Sequence, residues 1–159
     1  MQMKRVFFFM IAAGFLTAGA SFAAENPTMQ EMMHKMGGPK PDERVELKLP
    51  DTMKVMQKRM MRQHLDTVAE ITGAIAAGDL PKASMIAKEQ LGWSPQEEQR
   101  CNMVGKMTGE KDFVSLGMAV HKTADELSAA AAAGDRDASL ALLSKLIKNC
   151  NACHEKFRH

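Results

Sequence analysis

The chain has 159 residues, with 21 Lys and Arg against 19 Asp and Glu, for a formal charge of +2. That near balance gives no sign of a nucleic-acid partner, although it leaves room for local charged patches that dock a protein. Fifteen Met, one Trp, no Tyr and abundant Ala and Leu favour helices, and no convincing run of alternating β-branched residues argues for strands.

Lys4 and Arg5 precede an apolar stretch from Val6 to about Ala18, and Ser21 and Ala23 place small residues at −3 and −1 of a cleavage site. Residues 1–23 therefore read as a secretory signal peptide rather than a membrane anchor, because the apolar core is short for a span of about 20 residues. Cleavage after Ala23 removes two basic residues and no acidic ones, and leaves no stable membrane anchor. The remainder suits one domain.

Residues 24–50 read as a Met- and Pro-rich tail and extended lead-in. Asn26-Pro27, Gly37-Gly38-Pro39 and Lys40-Pro41 interrupt any regular pattern. Within it, Met29-Gln30-Glu31-Met32-Met33-His34-Lys35-Met36 gathers thioethers and an imidazole, a set that suits Cu(I); the plainer reading is an unstructured linker that happens to be Met-rich. Val45, Leu47 and Leu49 alternate with polar residues, as in an extended segment pinned against a helical core.

Residues 51–159 read as the helical domain. The first long helix starts near Asp51 or Thr52, either of which can cap it after Pro50. Its apolar positions are Met53, Met56, Met60, His64 or Leu65, Val68, Ile71 and Ile75, and Gly78-Asp79 stops it. A second helix runs from Asp79 and Pro81 through Ala83, Ile86, Ala87 and Leu91 to Gly92. Ser94-Pro95-Gln96-Glu97 reads as a capping box that opens a further segment through Met103 and Met107. The third helix spans about Asp112 to Ala133, with Phe113, Leu116, Val120, Ala124 and Leu127 on one side. The fourth spans about Arg136 to Phe157, with Leu140, Leu143, Ile147, Cys150 and His154 sharing a face. Ala76-Ala77-Gly78-Asp79 and Ala132-Ala133-Gly134-Asp135 each close one helix and cap the next. Such short turns make neighbours antiparallel, so the expected fold is all-α, an antiparallel four-helix bundle. His64 and His121 read as surface or hydrogen-bonded histidines, and Cys101 as a buried small residue, with a reactive or intermolecular thiol as the alternative.

Near the C-terminus stands Cys150-Asn151-Ala152-Cys153-His154, the C-x-x-C-H attachment signature of a c-type haem. Thiols at i and i+3 of a helix face the same way, so both reach one edge of the macrocycle. His154 shares that face and can be the proximal iron ligand. A zinc knuckle would need two more ligands at suitable spacing, and no second Cys pair exists. A thioredoxin-like motif would follow a strand, whereas this one ends a helical chain.

Cys150, Cys153, His154, Phe157 and Arg158, with the His121–Leu127 segment and Gly134-Asp135, resemble the class II cytochrome c family, which contains cytochrome c′ and its low-spin relatives. The likeness covers about residues 45–159. It implies one covalent haem c near the C-terminus of the bundle, Phe157 beside it, and Arg158 near His154, tuning it. It also implies a distal position on the first helix, where Met61 is the best candidate for sixth ligand, with Met60 as alternative and His64 third. The expected function is single-electron carriage in the periplasm between redox protein partners, not enzymatic turnover. A five-coordinate protein that binds NO or CO is the alternative, and a homodimer is plausible by resemblance.

Overall fold

The computed structural model describes residues 28–38 and 41–159. The expected signal peptide, 1–23, lies outside them, as do Asn26-Pro27, Pro39 and Lys40. The chain divides into two units, one up to Pro41 and one from Asp42 to His159, so the lead-in from 42 to 50 falls with the helical domain expected over 51–159.

In the first unit the expected irregular tail contains a helix, α1, Met29–Lys35. Thr28 and Glu31 explain it. The Thr28 hydroxyl accepts from the Glu31 N–H at 3.2 Å, and the Glu31 carboxylate accepts from the Thr28 N–H at 2.8 Å, a reciprocal capping box. At the other end Gly38 N–H donates to the Met33 carbonyl at 2.8 Å and Gly37 N–H to that of His34 at 3.2 Å, both glycines at positive φ.

The second unit is an all-α helical bundle. Its helices are α2 (Asp51–Ala76), α3 (Leu80–Ile86), α4 (Pro95–Thr108), α5 (Lys111–Ala132) and α6 (Arg136–Lys156). A π-helical turn, Ala87–Leu91, extends α3 to Gly92, so the arm between α2 and α5 is two helices. The repeated turns behave alike. Asp79 N–H reaches the Ala74 carbonyl and Asp135 N–H that of Ala130, around glycines at φ 77° and 76°. The Asp79 side chain caps α3 on Lys82 N–H, and the Asp135 side chain caps α6 on Ala138 N–H. At α2 the expected side-chain cap is missing: Pro50 holds the cap position, and Asp51 lies in the first turn, where its charge meets the helix dipole.

Two strands of two residues close the unit. β1 (Val45–Glu46) pairs in parallel with β2 (Phe157–Arg158), Val45 opposite Phe157. Leu47 N–H continues the ladder to the Arg158 carbonyl at 2.8 Å. The lead-in thus is pinned with Leu47 and Leu49 buried, as their alternation suggests, while Val45 is exposed.

The core falls into two clusters. The larger joins Ile71 and Ile75 of α2, Ile86 and Leu91, Val120 and Leu127 of α5, and Leu143 and Leu146 of α6. The smaller joins Leu47, Leu49, Val104, Phe113 and Phe157. Two expected faces hold in part: Ile71 and Ile75 of α2 and Leu143 of α6 are buried as expected, and other positions are not. On α2, Met56 and Leu65 are exposed while Gln57 and Thr67 are buried; on α6, Leu140 and Ile147 are exposed while Leu146 is buried. No helix among the described residues is long and apolar enough to cross a membrane.

Candidate functional site

α5 packs extensively on both α6 and α4, whereas α2 and α6 meet over a short stretch only. A cavity of about 590 Å³ opens there, lined by α2, α4, α5, α6 and the C-terminal residues. Its size suits a cofactor, and its walls are mostly apolar.

The last turns of α6 bring Cys150, Cys153 and His154 to this wall. Cys150 packs on the larger cluster and Cys153 on the smaller. His154 is exposed, and its carbonyl accepts from Arg44 at 3.3 Å. Burial pushes the Cys150 thiol above its ordinary pKa. Burial first, then the neighbouring Cys150 and Cys101, pushes Cys153 up to about 11. Both thiols are therefore protonated near neutral pH and slow to oxidise.

From α2 come Met60, Met61 and His64. The Met60 sulfur accepts from Arg100 Nη1 at 2.9 Å, and the same guanidinium pairs with Glu97 at 2.9 Å. The expected capping box at Ser94 is half formed. Its hydroxyl accepts from Glu97 N–H, while the Glu97 carboxylate turns to Arg100 and lies 3.6 Å from His121 Nε2. His121 is buried on α5, as a hydrogen-bonded histidine: Nδ1 lies 2.9 Å from the Leu91 carbonyl freed at the end of the π turn. Its ring meets His64 edge-on at 5.7 Å. Burial first, then His121 and Arg100, lowers His64 to about 4, so its imidazole is neutral at physiological pH.

Cys101 is buried on α4 and lines the same cavity. Its sulfur sits where a side chain on Gly117 would be, 2.9 Å from such a Cβ. Burial, reinforced by Glu97 and opposed by Arg100, raises this thiol to about 11.

Phe157 is buried and lines the cavity. Arg158 is the one sequence-predicted site residue that does not. Its guanidinium turns to Asp42 at 3.6 Å and Glu46 at 3.5 Å, across the strand pair, because β2 carries residue 158 out of the α6 repeat. Glu97, Arg100 and His159 were not legible as site residues. Glu97 and Arg100 are brought in by the packing of α4, His159 follows the strand after α6, and the Ser94–Glu97 box announces a helix start, not a cavity wall.

The residues fit a c-type haem. Two free thiols three apart and an imidazole next to the second are the groups that attach and ligate it, and the mostly apolar wall suits its macrocycle. Residues 106–158 match the family model described as Cytochrome C′. That match supports the class II cytochrome c family and a haem-binding cytochrome. Neither the curated proteins nor the solved structures give a match to the chain.

Proposed function

We propose, from the class II cytochrome c likeness of its C-terminal third, that this chain is an exported c-type cytochrome that carries single electrons between periplasmic redox proteins. The observation that carries the reading is the placement of Cys150, Cys153 and His154 on one cavity with Met60 and Met61. Haem supplies a one-electron couple at its iron. Cys150 and Cys153 would hold the group through thioether bonds, and His154 would supply a nitrogen donor to its iron. Met61, on the same cavity, would supply a sulfur donor. The Met60 sulfur is already engaged by Arg100, which favours its neighbour. A Met donor would stabilise the reduced state and raise the potential, and a second protein donor beside His154 would favour transfer over substrate chemistry. Val68, Val104, Phe113, Val120 and Phe157 exclude water, which steadies the site between its two charge states.

The test is the optical spectrum of the haem-loaded protein, oxidised and reduced. A sulfur-to-iron charge-transfer band in the oxidised protein, lost in Met61→Ala and kept in Met60→Ala, establishes the six-coordinate carrier. A high-spin spectrum that shifts on adding CO or NO replaces it with the gas-binding reading.

A further inference from the structure

Four exposed large apolar side chains belong to α1 and its cap: Met29 is 71% exposed, Met32 43%, Met33 52% and Met36 84%. They stand at i, i+3, i+4 and i+7. At 3.6 residues per turn that spacing confines all four to an arc of about 100°, with Gln30, Glu31, His34 and Lys35 on the rest of the surface. An isolated helix of seven residues is marginal in water. This one is capped at both ends by the Thr28–Glu31 box and the Gly37–Gly38 turn, which supports the helix that sets the four side chains along one stripe. The cap also uses the nearest carboxylate, since Glu31 is committed to Thr28. What remains on the face is sulfur. Among the described residues no group of three His, Cys, Asp or Glu gathers to hold a harder ion.

We propose that the thioether face of α1, formed by Met29, Met32, Met33 and Met36, is a Cu(I) site. Soft, uncharged thioethers select Cu(I) over zinc and over Cu(II), which prefer imidazole and oxygen donors. Three rotatable bonds let each sulfur swing over the turn beside it. Met29 with Met32 and Met33, or Met32 and Met33 with Met36, therefore offers three sulfurs within about two turns of helix. His34 falls about 100° round the helix from Met33, outside the stripe, so the donor set is sulfur alone. The site is separate from the haem reading and does not rest on it.

A protein-docking face would use the same apolar area, and Met→Leu substitution separates the two. Leucine keeps the area and the helix propensity but removes the sulfur. The purified haem-loaded protein is titrated anaerobically with Cu(I) against a chromogenic chelator, and with Ag(I) as a redox-inert probe. The expected result is one ion bound. In the triple variant Met32→Leu, Met33→Leu, Met36→Leu the affinity drops by no less than the roughly tenfold typical of losing an outer partner of a metal ligand. A control with Met103→Leu and Met107→Leu, exposed thioethers of α4, keeps wild-type affinity. Unchanged binding in the triple variant, or an equal loss in the α4 control, overturns the proposal. Circular dichroism and the haem spectrum of each variant show that the fold is intact.

Discussion

Cys150, Cys153 and His154 reach one cavity because the helix repeat of α6 turns them there, and no long-range contact is needed to aim them. Their roles are therefore separable by substitution. Cys150→Ser and Cys153→Ser each leave one thioether, the double variant leaves none, and His154→Ala keeps both links but loses normal axial ligation. Mass spectrometry after denaturation counts the links, and the spectrum reports the axial nitrogen. A wild-type spectrum in His154→Ala would remove it as a ligand. His64 makes a different prediction. Its imidazole stands at about 4 in the fold against an ordinary 6.5, burial being the main cause. As pH falls below 6.5 the unfolded chain takes the proton first, so the fold loses stability between 6.5 and 4 and gains none above that window. The loss from this one group is less than about 3 kcal/mol. Denaturant midpoints across that window should flatten in His64→Gln relative to wild type, and an equal slope in the variant would assign the effect elsewhere.

At the scale of elements, the two Ala-Ala-Gly-Asp turns do the same work with the same chemistry. Glycine takes the left-handed conformation that ends one helix, and the aspartate side chain accepts the next helix's orphan N–H. Asp79→Ala and Asp135→Ala should each cost about 1 kcal/mol in urea unfolding, while the Asn variants retain most of it. These turns were legible in the sequence because their chemistry is local, and so were the spans of α2, α5 and α6. The Thr28–Glu31 capping box was equally local, but the prolines and glycines around it obscured a seven-residue helix. The π turn had no such signal. Its terminal carbonyl is satisfied by His121, 30 residues away, and Gly92 is held where a Cβ would lie 2.5 Å from the Lys88 carbonyl. The phase of α2 was obscured for another reason. Met53, Met56, Met60, Met61 and Leu65 supply apolar side chains in two phases, and only packing against the neighbouring helices selects the one that buries Gln57 and Thr67.

At the scale of the molecule, residues of both apolar clusters line the cavity, and the two clusters have unequal duties. The larger ties α2, α3, α5 and α6 together. The smaller unites the lead-in, α4, α5 and the chain's end, through a strand pair whose partners lie too far apart in sequence for any motif to announce. Leu47 belongs to this second cluster, is 1% exposed, lines the cavity and lends its N–H to Arg158. Leu146 is 0% exposed in the first cluster and does not line the cavity. Truncating either to Ala should cost about 2–5 kcal/mol of stability. Only Leu47→Ala opens the cavity wall. Water admitted there favours the more highly charged oxidised iron, so the midpoint potential of the haem-loaded protein should fall in Leu47→Ala and hold in Leu146→Ala at matched loss of stability. Denaturant titration sets the match and a redox titration reads the potential. Equal shifts in both variants would mean that general loosening, not the closure supplied by the lead-in, controls the polarity of the cavity. A fall confined to Leu47→Ala would make the two-residue strand pair a determinant of the potential as well as of the fold.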